Sequence, residues 1–437
     1  MKTLIPCLTG LAIVFGFALK ESAVEAVPTN DFLNSIGANS AIAARGETLE
    51  KTIEIVKYTG IRWIRSGYEG DVKMADYLKL HKETGIKFSY GLMSGGTDIP
   101  RLLKDGEKLA AAGALLAFEG SNEPNNWSLT YKGEKGGRDG SWLAVANLQK
   151  DFYRGVKANS KLKGYPVWSL CENGAQTDNM GLQFLTIPKA AGTLMPAGTK
   201  YADYATCHNY FSHGSNPGLY DNQTWNAADP GPMCKVDGLY GNYGLTWGKK
   251  FKGYTEQELQ RLPRVTTETG VTIGGAFTEE KQARMYMTMY LAQFKRGWSH
   301  TALYLLRDRS DEAGNQSFGL YGPDYTPRRS AVYMHSMTTI LADHGTSKQK
   351  KSLAYTLTGA TETVHDLLLL NSNGKFQLVI WGEKVSGIDV IKLNLGVRSA
   401  LVNVYDPIRS TSSVMKLRDC NQLSLEVRDH PYIVEID

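Results

Sequence analysis

Apolar segments of strand length alternate with amphipathic segments of helix length from Phe32 to Leu341. This alternation predicts parallel strands joined by helices, because each helix returns the chain to the same end of the sheet. Eight strand–helix units over about 310 residues favour a closed (β/α)8 TIM barrel of the α/β class over an open sheet. The predicted strands are Phe32–Ile36, Ile61–Arg65, Lys87–Leu92, Leu115–Gly120, Pro166–Leu170, Tyr204–His208, Arg264–Thr267 and Ala302–Leu306.

Helices are predicted between these strands, and one long insertion interrupts them. The predicted helices are Thr48–Tyr58, Val72–Thr84, Ile99–Ala112, Trp142–Ala158, Gly181–Ala190, Glu279–Arg296 and Arg328–Leu341. The insertion, residues 211–261, follows the sixth strand. Its aromatic residues include Tyr220, Trp225, Tyr240, Tyr243 and Trp247. A loop this long in a compact domain is usually functional or disordered. It forms either a wall of a substrate cleft or a self-packed surface excursion.

The pattern changes near Thr346, where short strand-like segments follow one another without helices. Turn residues such as Asn371, Gly374 and Gly387 separate these segments. This pattern predicts a small antiparallel β-sandwich. We therefore divide the chain into residues 27–345, the barrel, and residues 346–437, the β-sandwich.

The first 26 residues have the pattern of a signal peptide. Lys2 gives a positive start, residues 4–19 are apolar, and Val24-Glu25-Ala26 matches the small-residue pattern of a cleavage site. A membrane anchor is the alternative, but the apolar run is short for a bilayer span of about 20 residues. We expect cleavage after Ala26, a secreted or periplasmic protein, and no stable membrane insertion afterwards.

Composition and charge exclude few classes of function. The 437 residues are 42% hydrophobic and 21% charged, as in ordinary globular proteins. A net charge of +5 is mild over this length. It argues against a nucleic-acid binder, which would show a dense basic stripe, and it permits an anionic glycan. No C-x-x-C pair indicates zinc. Cys207 and Cys234 are predicted either to form a disulfide or to remain two buried thiols.

Two carboxylates lie at the C-terminal ends of predicted strands, which is where barrel enzymes have their catalytic residues. Glu123 follows the fourth predicted strand within Asn122-Glu123-Pro124, and Glu268 ends the seventh within Thr267-Glu268-Thr269-Gly270. Glycosidic bond cleavage requires two carboxyl groups, one to protonate the leaving oxygen and one to attack the anomeric carbon or activate water. The pair therefore predicts a glycosidase.

These paired motifs resemble glycoside hydrolase clan A. The segment Glu279–Tyr304 and the segment Gly319–Asp324 also look like that clan. Together with the second domain, the closest resemblance is to family 39 and related bacterial enzymes, some of which act on exopolysaccharides. The resemblance covers most of residues 32–345 and, more loosely, the C-terminal module. It implies a retaining enzyme without a cofactor that acts on a polysaccharide or oligosaccharide.

The resemblance also implies individual roles. Glu123 resembles the general acid/base and Glu268 the nucleophile. Asn122 resembles the asparagine that binds the sugar 2-hydroxyl, and Arg65 resembles the arginine that supports the nucleophile. The arginine would keep Glu268 ionised through a charge-assisted pair. His208 and Tyr210 resemble residues that contact Glu268 or the sugar.

One departure concerns the eighth strand, where many clan members carry a tryptophan platform. This chain has Tyr304-Leu305-Leu306-Arg307-Asp308 there, and Arg307 or Asp308 is expected to reach the substrate instead. Trp127 is predicted either to stack on a sugar or to pack in the core, and Trp142 to pack in the core.

Two further carboxylates lie near the predicted catalytic strands. Glu119 is expected to point into the barrel and pair with a basic residue, and Glu172 either lines the cleft or is solvated.

Three other functions remain open at this point. A transglycosylase would use the same two carboxylates with a different acceptor. A catalytically silent glycan-binding protein would keep the cleft, although two intact glutamates argue against it. A metal-dependent barrel hydrolase would need clustered ligands, and the chain has no H-x-H or H-E-x-x-H pattern. The sequence predicts neither the sugar, the linkage nor the oligomeric state.

Overall fold

The computed structural model describes residues 23–67, 72–124, 126–138, 142–171, 199–212, 218–229, 263–311, 316–345 and 350–437. The strands are, in chain order, β1 (Ala23–Glu25), β2 (Val27–Pro28), β3 (Ile36–Asn39), β4 (Trp63–Gly67), β5 (Lys87–Gly91), β6 (Leu115–Glu119), β7 (Leu129–Tyr131), β8 (Glu134–Gly136), β9 (Val167–Trp168), β10 (Ala205–His208), β11 (Arg264–Thr269), β12 (Trp298–Leu303), β13 (Ser352–Thr358), β14 (Val364–Leu370), β15 (Phe376–Gly382), β16 (Asp389–Tyr405), β17 (Ser413–Val427) and β18 (Pro431–Ile436). The described helices are α1 (Thr29–Ser35), α2 (Leu49–Thr59), α3 (Met74–Thr84), α4 (Ile99–Ala111), α5 (Trp142–Ala158), α6 (Gln223–Ala227), α7 (Glu279–Lys295) and α8 (Arg329–Ile340). None of these helices is long and apolar enough to cross a membrane.

Eight parallel strands form a nearly closed barrel, as predicted. They pair in the order β10-β11-β12-β3-β4-β5-β6-β9. Between the two ends of this order, Trp168 and Tyr204 form a single parallel bridge, and the Ser169 N–H donates to the Tyr204 carbonyl at 2.9 Å. Because all eight strands run the same way, their C-terminal ends gather at one mouth, where barrel enzymes place their sites.

The first predicted strand, Phe32–Ile36, is wrong over most of its length. Thr29–Ser35 forms the helix α1, and the strand β3 begins only at Ile36. Phe32 and Leu33 are fully buried in the core, so their apolar character reflects burial rather than strand geometry. A short apolar run of this kind does not distinguish a strand from a buried helix. The last strand is also displaced, since it spans Trp298–Leu303 rather than Ala302–Leu306.

Capping residues mark the ends of the helices α2 and α7. The Thr48 hydroxyl accepts from the Lys51 N–H at the start of α2, and Gly60 ends that helix with a φ of 73°. A glycine adopts this left-handed conformation without a Cβ clash. Thr278 caps α7 in the same way. The predicted helix Gly181–Ala190 lies outside the described residues.

The C-terminal strands form one continuous hydrogen-bonded sheet, so the predicted β-sandwich is not confirmed. The order is β1-β13-β16-β18-β15-β14-β2, with β17 on the other edge of β16. The long strand β16 pairs with β13 through residues 392–395 and with β18 through residues 402–405. The strand β16 thus joins β13 and β18 within one sheet. The N-terminal strands β1 and β2 also belong to this sheet.

The second sheet packs against the barrel through part of the long insertion. The Trp225 ring stacks on His365 with centroids 3.9 Å apart. The buried Glu383 carboxylate accepts from the Thr224 hydroxyl at 2.6 Å and from the Trp225 N–H at 3.0 Å. Trp225 is therefore an interface residue, which matches neither of the two alternatives considered for the insertion, a cleft wall or a self-packed excursion. Tyr240, Tyr243 and Trp247 lie outside the described residues.

We expect this interface to weaken in acid through His365. Burial lowers the pKa of His365 to about 4, whereas an unfolded histidine titrates near 6.5. Between these values the unfolded chain binds a proton that the folded chain does not, so the free energy of unfolding falls as pH falls. His365→Phe removes this titration and keeps a ring against Trp225. From pH 6.5 to 4.5 the wild type should lose roughly 1–3 kcal/mol more than the variant, measured by urea unfolding. Identical pH dependence in both proteins would contradict this role.

Candidate active site

The predicted catalytic side chains come together at the C-terminal mouth of the barrel. Arg65 lies in β4, Glu123 follows β6, His208 ends β10, and Glu268 lies in β11. All four are less than 10% exposed. Tyr210 follows β10 and is buried beside them. The parallel strand order therefore converts sequence positions far apart in the chain into one cluster.

Glu123 and Glu268 face one another across a short gap. One carboxylate oxygen of each, together with a ring nitrogen of His208, lies within a group whose members are all within 4.8 Å of one another. His208 Nδ1 is 2.7 Å from Glu123 Oε1 and 3.5 Å from Glu268 Oε2. The imidazole thus bridges the two carboxylates.

Glu268 receives two strong hydrogen bonds. Arg65 Nη1 donates to Glu268 Oε1 at 2.5 Å, and the Tyr210 hydroxyl donates to Glu268 Oε2 at 2.7 Å. Burial nevertheless raises the pKa of Glu268, although His208, Arg65 and the Tyr210 hydrogen bond all lower it. The expected bond from Arg65 is present, but it does not fully offset the desolvation of the carboxylate.

The backbone at Glu123 is held in an unusual conformation. Its φ is 40°, in the left-handed region that non-glycine residues seldom adopt. The Glu123 N–H donates to the Cys171 carbonyl at 2.9 Å, and the Glu123 carbonyl accepts from the N–H groups of Asn126 and Trp127. Such conformations cost about 1–3 kcal/mol and cluster at functional sites. The turn therefore fixes the direction in which the Glu123 side chain leaves the strand.

His208 is neutral near neutral pH, since burial lowers its pKa to about 4. A neutral imidazole has one donor and one acceptor nitrogen. Nδ1 faces Glu123 and Nε2 lies 3.1 Å from the Thr267 hydroxyl. When Glu123 is ionised, Nδ1 donates to it and Nε2 accepts from Thr267. When Glu123 is protonated, the carboxyl group donates to Nδ1 and Nε2 donates to Thr267. The histidine can thus satisfy both states of Glu123.

Glu119 points into the barrel and pairs with a basic residue, as predicted. Arg65 Nε donates to Glu119 Oε1 at 2.8 Å. Asn122 is bonded on both sides, because its Oδ1 accepts from Arg65 Nη2 at 2.7 Å and its Nδ2 donates to the Ser94 hydroxyl at 3.0 Å. One Nδ2 hydrogen of Asn122 is left over from these two bonds and is available to a ligand.

Sequence reasoning missed two residues of this cluster, Asn39 and Cys171. Asn39 Oδ1 accepts from Arg65 Nη1 at 3.3 Å, and Cys171 Sγ lies 3.4 Å from Arg65 Nη2 and 3.3 Å from Glu119 Oε1. Their positions in the sequence could have indicated them, because both lie at or just after the C-terminal end of a barrel strand. Asn39 ends β3, and Cys171 comes three residues after the end of β9. Glu172 lies outside the described residues.

Asp308 does not have the surroundings that we expected. Its Oδ1 accepts from the Gly319 N–H at 2.6 Å and its Oδ2 pairs with Arg328 Nη2 at 2.5 Å. The Asp308 side chain is only 3% exposed. Both oxygens are therefore engaged within the protein, which argues against the predicted contact with a sugar. Arg307 is likewise buried, with its guanidinium 4.6 Å from the Tyr325 ring centroid.

Two aromatic residues neighbour members of this cluster, Trp127 through the Glu123 carbonyl and Tyr304 through the Tyr210 ring. Trp127 is 55% exposed, so core packing is excluded and contact with a sugar stays a prediction. Tyr304 directly follows β12, and a cis peptide bond joins it to Leu305. The Tyr304 ring lies 6.3 Å from the Tyr210 ring, whose hydroxyl bonds Glu268. Tyr304, which directly follows the eighth barrel strand, is therefore an aromatic neighbour of Tyr210.

A cavity of about 380 Å³ opens beside Arg65, the residue that bonds Glu268. Asn39, Ser40, Arg45, Arg65 and Arg309 contribute to its wall. Pockets that bind small molecules commonly measure about 300–1,000 Å³. The cavity is thus large enough for a sugar ring.

The described residues fit an acid/base pair better than a metal centre. Glu119, Cys171 and His208 also present atoms within 4.8 Å of one another, as do Glu123, His208 and Glu268. Arg65, however, bonds one carboxylate of each group. A metal cation at either place would meet the repulsion of this fixed guanidinium.

Three solved structures of similar fold are glycoside hydrolases. A family 39 glycoside hydrolase from Bacteroides cellulosilyticus WH2 superposes with a TM-score of 0.58 at 15% identity, over 94% of this chain and 82% of that one. CelM2, a bifunctional glucanase-xylanase from a metagenome library, gives 0.57 at 11% identity, over 95% and 97%. The GH51 arabinofuranosidase from Xanthomonas axonopodis pv. citri gives 0.52 at 9% identity, over 96% and 98%.

The chain has the fold of clan A glycoside hydrolases. This confirms at the level of the fold the resemblance that the motifs around Glu123 and Glu268 indicated. No family model and no curated protein matches the sequence.

Proposed function

We propose that the protein is a retaining glycoside hydrolase that acts on a polysaccharide or oligosaccharide. The observation that carries this proposal is the approach of the Glu123 and Glu268 carboxylates to within 4.8 Å. Retaining enzymes hold their carboxyl groups about 5–5.5 Å apart, whereas inverting enzymes leave about 6.5–9.5 Å for a water. The short gap favours direct attack of Glu268 on the anomeric carbon over attack by a water held between them.

In the first step, the protonated Glu123 donates its proton to the glycosidic oxygen while a Glu268 oxygen attacks the anomeric carbon. The bond to the leaving sugar breaks and a covalent glycosyl ester forms on Glu268. In the second step, Glu123 takes a proton from a water molecule, whose oxygen attacks the anomeric carbon and releases Glu268. The two inversions give net retention, and one water is consumed for each bond that is cleaved.

The surrounding residues support each step. Arg65 and Tyr210 orient the attacking carboxylate, one through each of its oxygens, and the ester oxygen regains its hydrogen bond when the intermediate breaks down. His208 accepts or donates at Nδ1 as Glu123 changes its protonation state. The remaining Nδ2 hydrogen of Asn122 is placed to bind the 2-hydroxyl, a contact that strengthens in the transition state.

Trp127 would bind the sugar on the leaving-group side. Its N–H bonds the carbonyl of Glu123, the residue that protonates the leaving oxygen. An exposed indole offers a flat apolar face to the C–H groups of a sugar ring.

Export of the protein by a signal peptide is also part of this proposal. Cleavage after Ala26 would remove β1, which pairs with residues 352–354, whereas cleavage before Ala23 would keep it. The mass of the mature protein distinguishes the two sites.

The test of the proposed function is the stereochemistry of the first product. The purified protein is incubated with a panel of polysaccharides, and the products of the best substrate are followed by ¹H NMR from the first turnovers. We expect the anomer that appears first to have the configuration of the cleaved bond. The opposite anomer would contradict the retaining mechanism. Products longer than the substrate would instead indicate transglycosylation, and binding without products would indicate a silent glycan-binding protein.

A further inference from the structure

Arg65 is held by more partners than its support of Glu268 requires. A guanidinium has five N–H groups. In this protein they face acceptors on five side chains, namely Glu119, Glu268, Asn39, Asn122 and Cys171. Arg65 is only 3% exposed, and the guanidinium stays charged because its pKa is raised well above the usual value. The four other partners therefore fix the orientation of the guanidinium, and with it the direction from which Arg65 bonds Glu268.

Glu119 and Cys171 form the deep side of this arrangement. The Cys171 thiol donates to Glu119 Oε1 at 3.3 Å while its sulfur faces Arg65 Nη2 at 3.4 Å. The Ser89 hydroxyl donates to the other Glu119 oxygen at 3.2 Å. Glu119 and Cys171 are at most 1% exposed, so a substrate does not contact them. Burial raises the pKa of Cys171, which keeps the thiol protonated as a donor.

The charged groups around Glu268 determine how strongly its carboxylate is stabilised. Glu268 faces Arg65 from β4, Glu123 from the turn after β6, and His208 and Tyr210 from β10 and the residues after it. Only Arg65 among these carries a fixed positive charge, because His208 is neutral near neutral pH. Arg65 Nε and Nη2 both lie 2.8 Å from Glu119 Oε1. One cation is thus shared between two carboxylates.

We propose that Glu119 and Cys171 are positioning residues that share Arg65 with the nucleophile and so set the pH at which Glu268 becomes ionised. This inference rests on the proposed function of Glu268. The negative charge of Glu119 weakens the attraction between Arg65 and Glu268. Cys171 contacts both Arg65 and Glu119 and keeps the two side chains in place. Without the charge of Glu119, Arg65 would stabilise the ionised Glu268 carboxylate more strongly, and Glu268 would be a weaker base and a weaker nucleophile.

Glu119→Gln tests the charge sharing. The amide keeps the size of the side chain and an acceptor oxygen but removes the competing negative charge. Ionised Glu268 then gains the full attraction of Arg65, so the acid limb of the kcat/KM profile should move to lower pH by roughly one unit. Tyr210→Phe removes a hydrogen bond that favours ionised Glu268 and should move the limb the opposite way. Glu383→Gln, which makes the same change at a buried glutamate on the second sheet, is the matched control and should leave the limb in place.

Cys171 gives a second test that does not depend on the folding of Glu119→Gln. Cys171→Ala should lower kcat by about tenfold with little change in KM, because Arg65 loses an acceptor and Glu119 a donor. Cys171→Ser, which keeps both functions, should recover most of kcat. An unshifted acid limb in a folded Glu119→Gln variant, or equal losses for the two Cys171 variants, would overturn the proposal. If Glu268→Gln is inactive, these results refute only the positioning roles; an active Glu268→Gln refutes the proposed function itself.

Discussion

Replacing Glu268 with glutamine is expected to lower kcat by about 10⁴-fold or more while the protein stays folded. The amide has nearly the shape of the carboxylate, and its oxygen can still accept from Arg65 or Tyr210. It cannot form the glycosyl ester, because an amide is a very weak nucleophile. The measurement is kcat on a good oligosaccharide substrate and on an aryl glycoside, with thermal unfolding followed by circular dichroism.

A matched control for this variant is Glu383→Gln. Glu383 is also a buried glutamate with several hydrogen bonds, but it lies at the contact between barrel and second sheet. Its replacement should lower the midpoint of thermal unfolding and leave kcat almost unchanged. Glu268→Gln should show the reverse pattern. Activity near that of the wild type in Glu268→Gln would show that the nucleophile is another residue.

The meeting of Glu123 and Glu268 could be predicted because these residues are chemically distinctive and occupy characteristic positions. Glu123 comes four residues after β6 and Glu268 lies at the end of β11, each within a recognisable motif, and Arg65 lies in the second strand of the barrel. Parallel strand order alone then requires these ends to meet at one mouth. The pairing of Glu119 with a basic residue followed from the same reasoning, because alternate residues of a strand point to the same face.

The rest of the cluster could not be predicted, since it depends on register and on turns. Asn39 and Cys171 are ordinary residue types that acquire a role only because β3 and the segment after β9 end level with Arg65. Asp308 was expected at the substrate because it follows the eighth strand, but Arg328 and the Gly319 N–H take up its carboxylate. No pattern around residue 308 indicates partners that are 11 and 20 residues further along the chain.

The errors in the fold have a similar origin. Phe32 and Leu33 are apolar because they are buried, and in a short run burial gives the same pattern in a helix as in a strand. In the C-terminal sheet, short strands were predicted, but their division into two sheets was not confirmed. The decisive feature is that β16 pairs with β13 in one half and β18 in the other, and pairing of this kind leaves no signal in a single sequence.

Replacing Glu123 with alanine is expected to separate two classes of substrate. Sugars are poor leaving groups and need the proton that Glu123 supplies, so kcat/KM on oligosaccharides should fall by about 10²–10⁴-fold. Activated aryl glycosides leave without a proton, and formation of the glycosyl ester on Glu268 should be affected far less. Breakdown of that ester should become slow, because no base activates the water. Aryl glycosides should therefore show a burst of phenol that is followed by a slow steady state.

Azide should restore turnover in Glu123→Ala, and this result identifies the acid/base most directly. The removed carboxylate lies within 4.8 Å of Glu268, so its place is next to the anomeric carbon of the ester. A small anion there attacks without a base and is no longer repelled by a second carboxylate. The product should be a glycosyl azide with the anomeric configuration of the substrate, while azide should leave the wild-type rate unchanged. Equal losses on both substrate classes without azide rescue would exclude Glu123 as the acid/base. A glycosyl azide of opposite configuration would show that azide attacks the substrate directly, and that no ester on Glu268 precedes it.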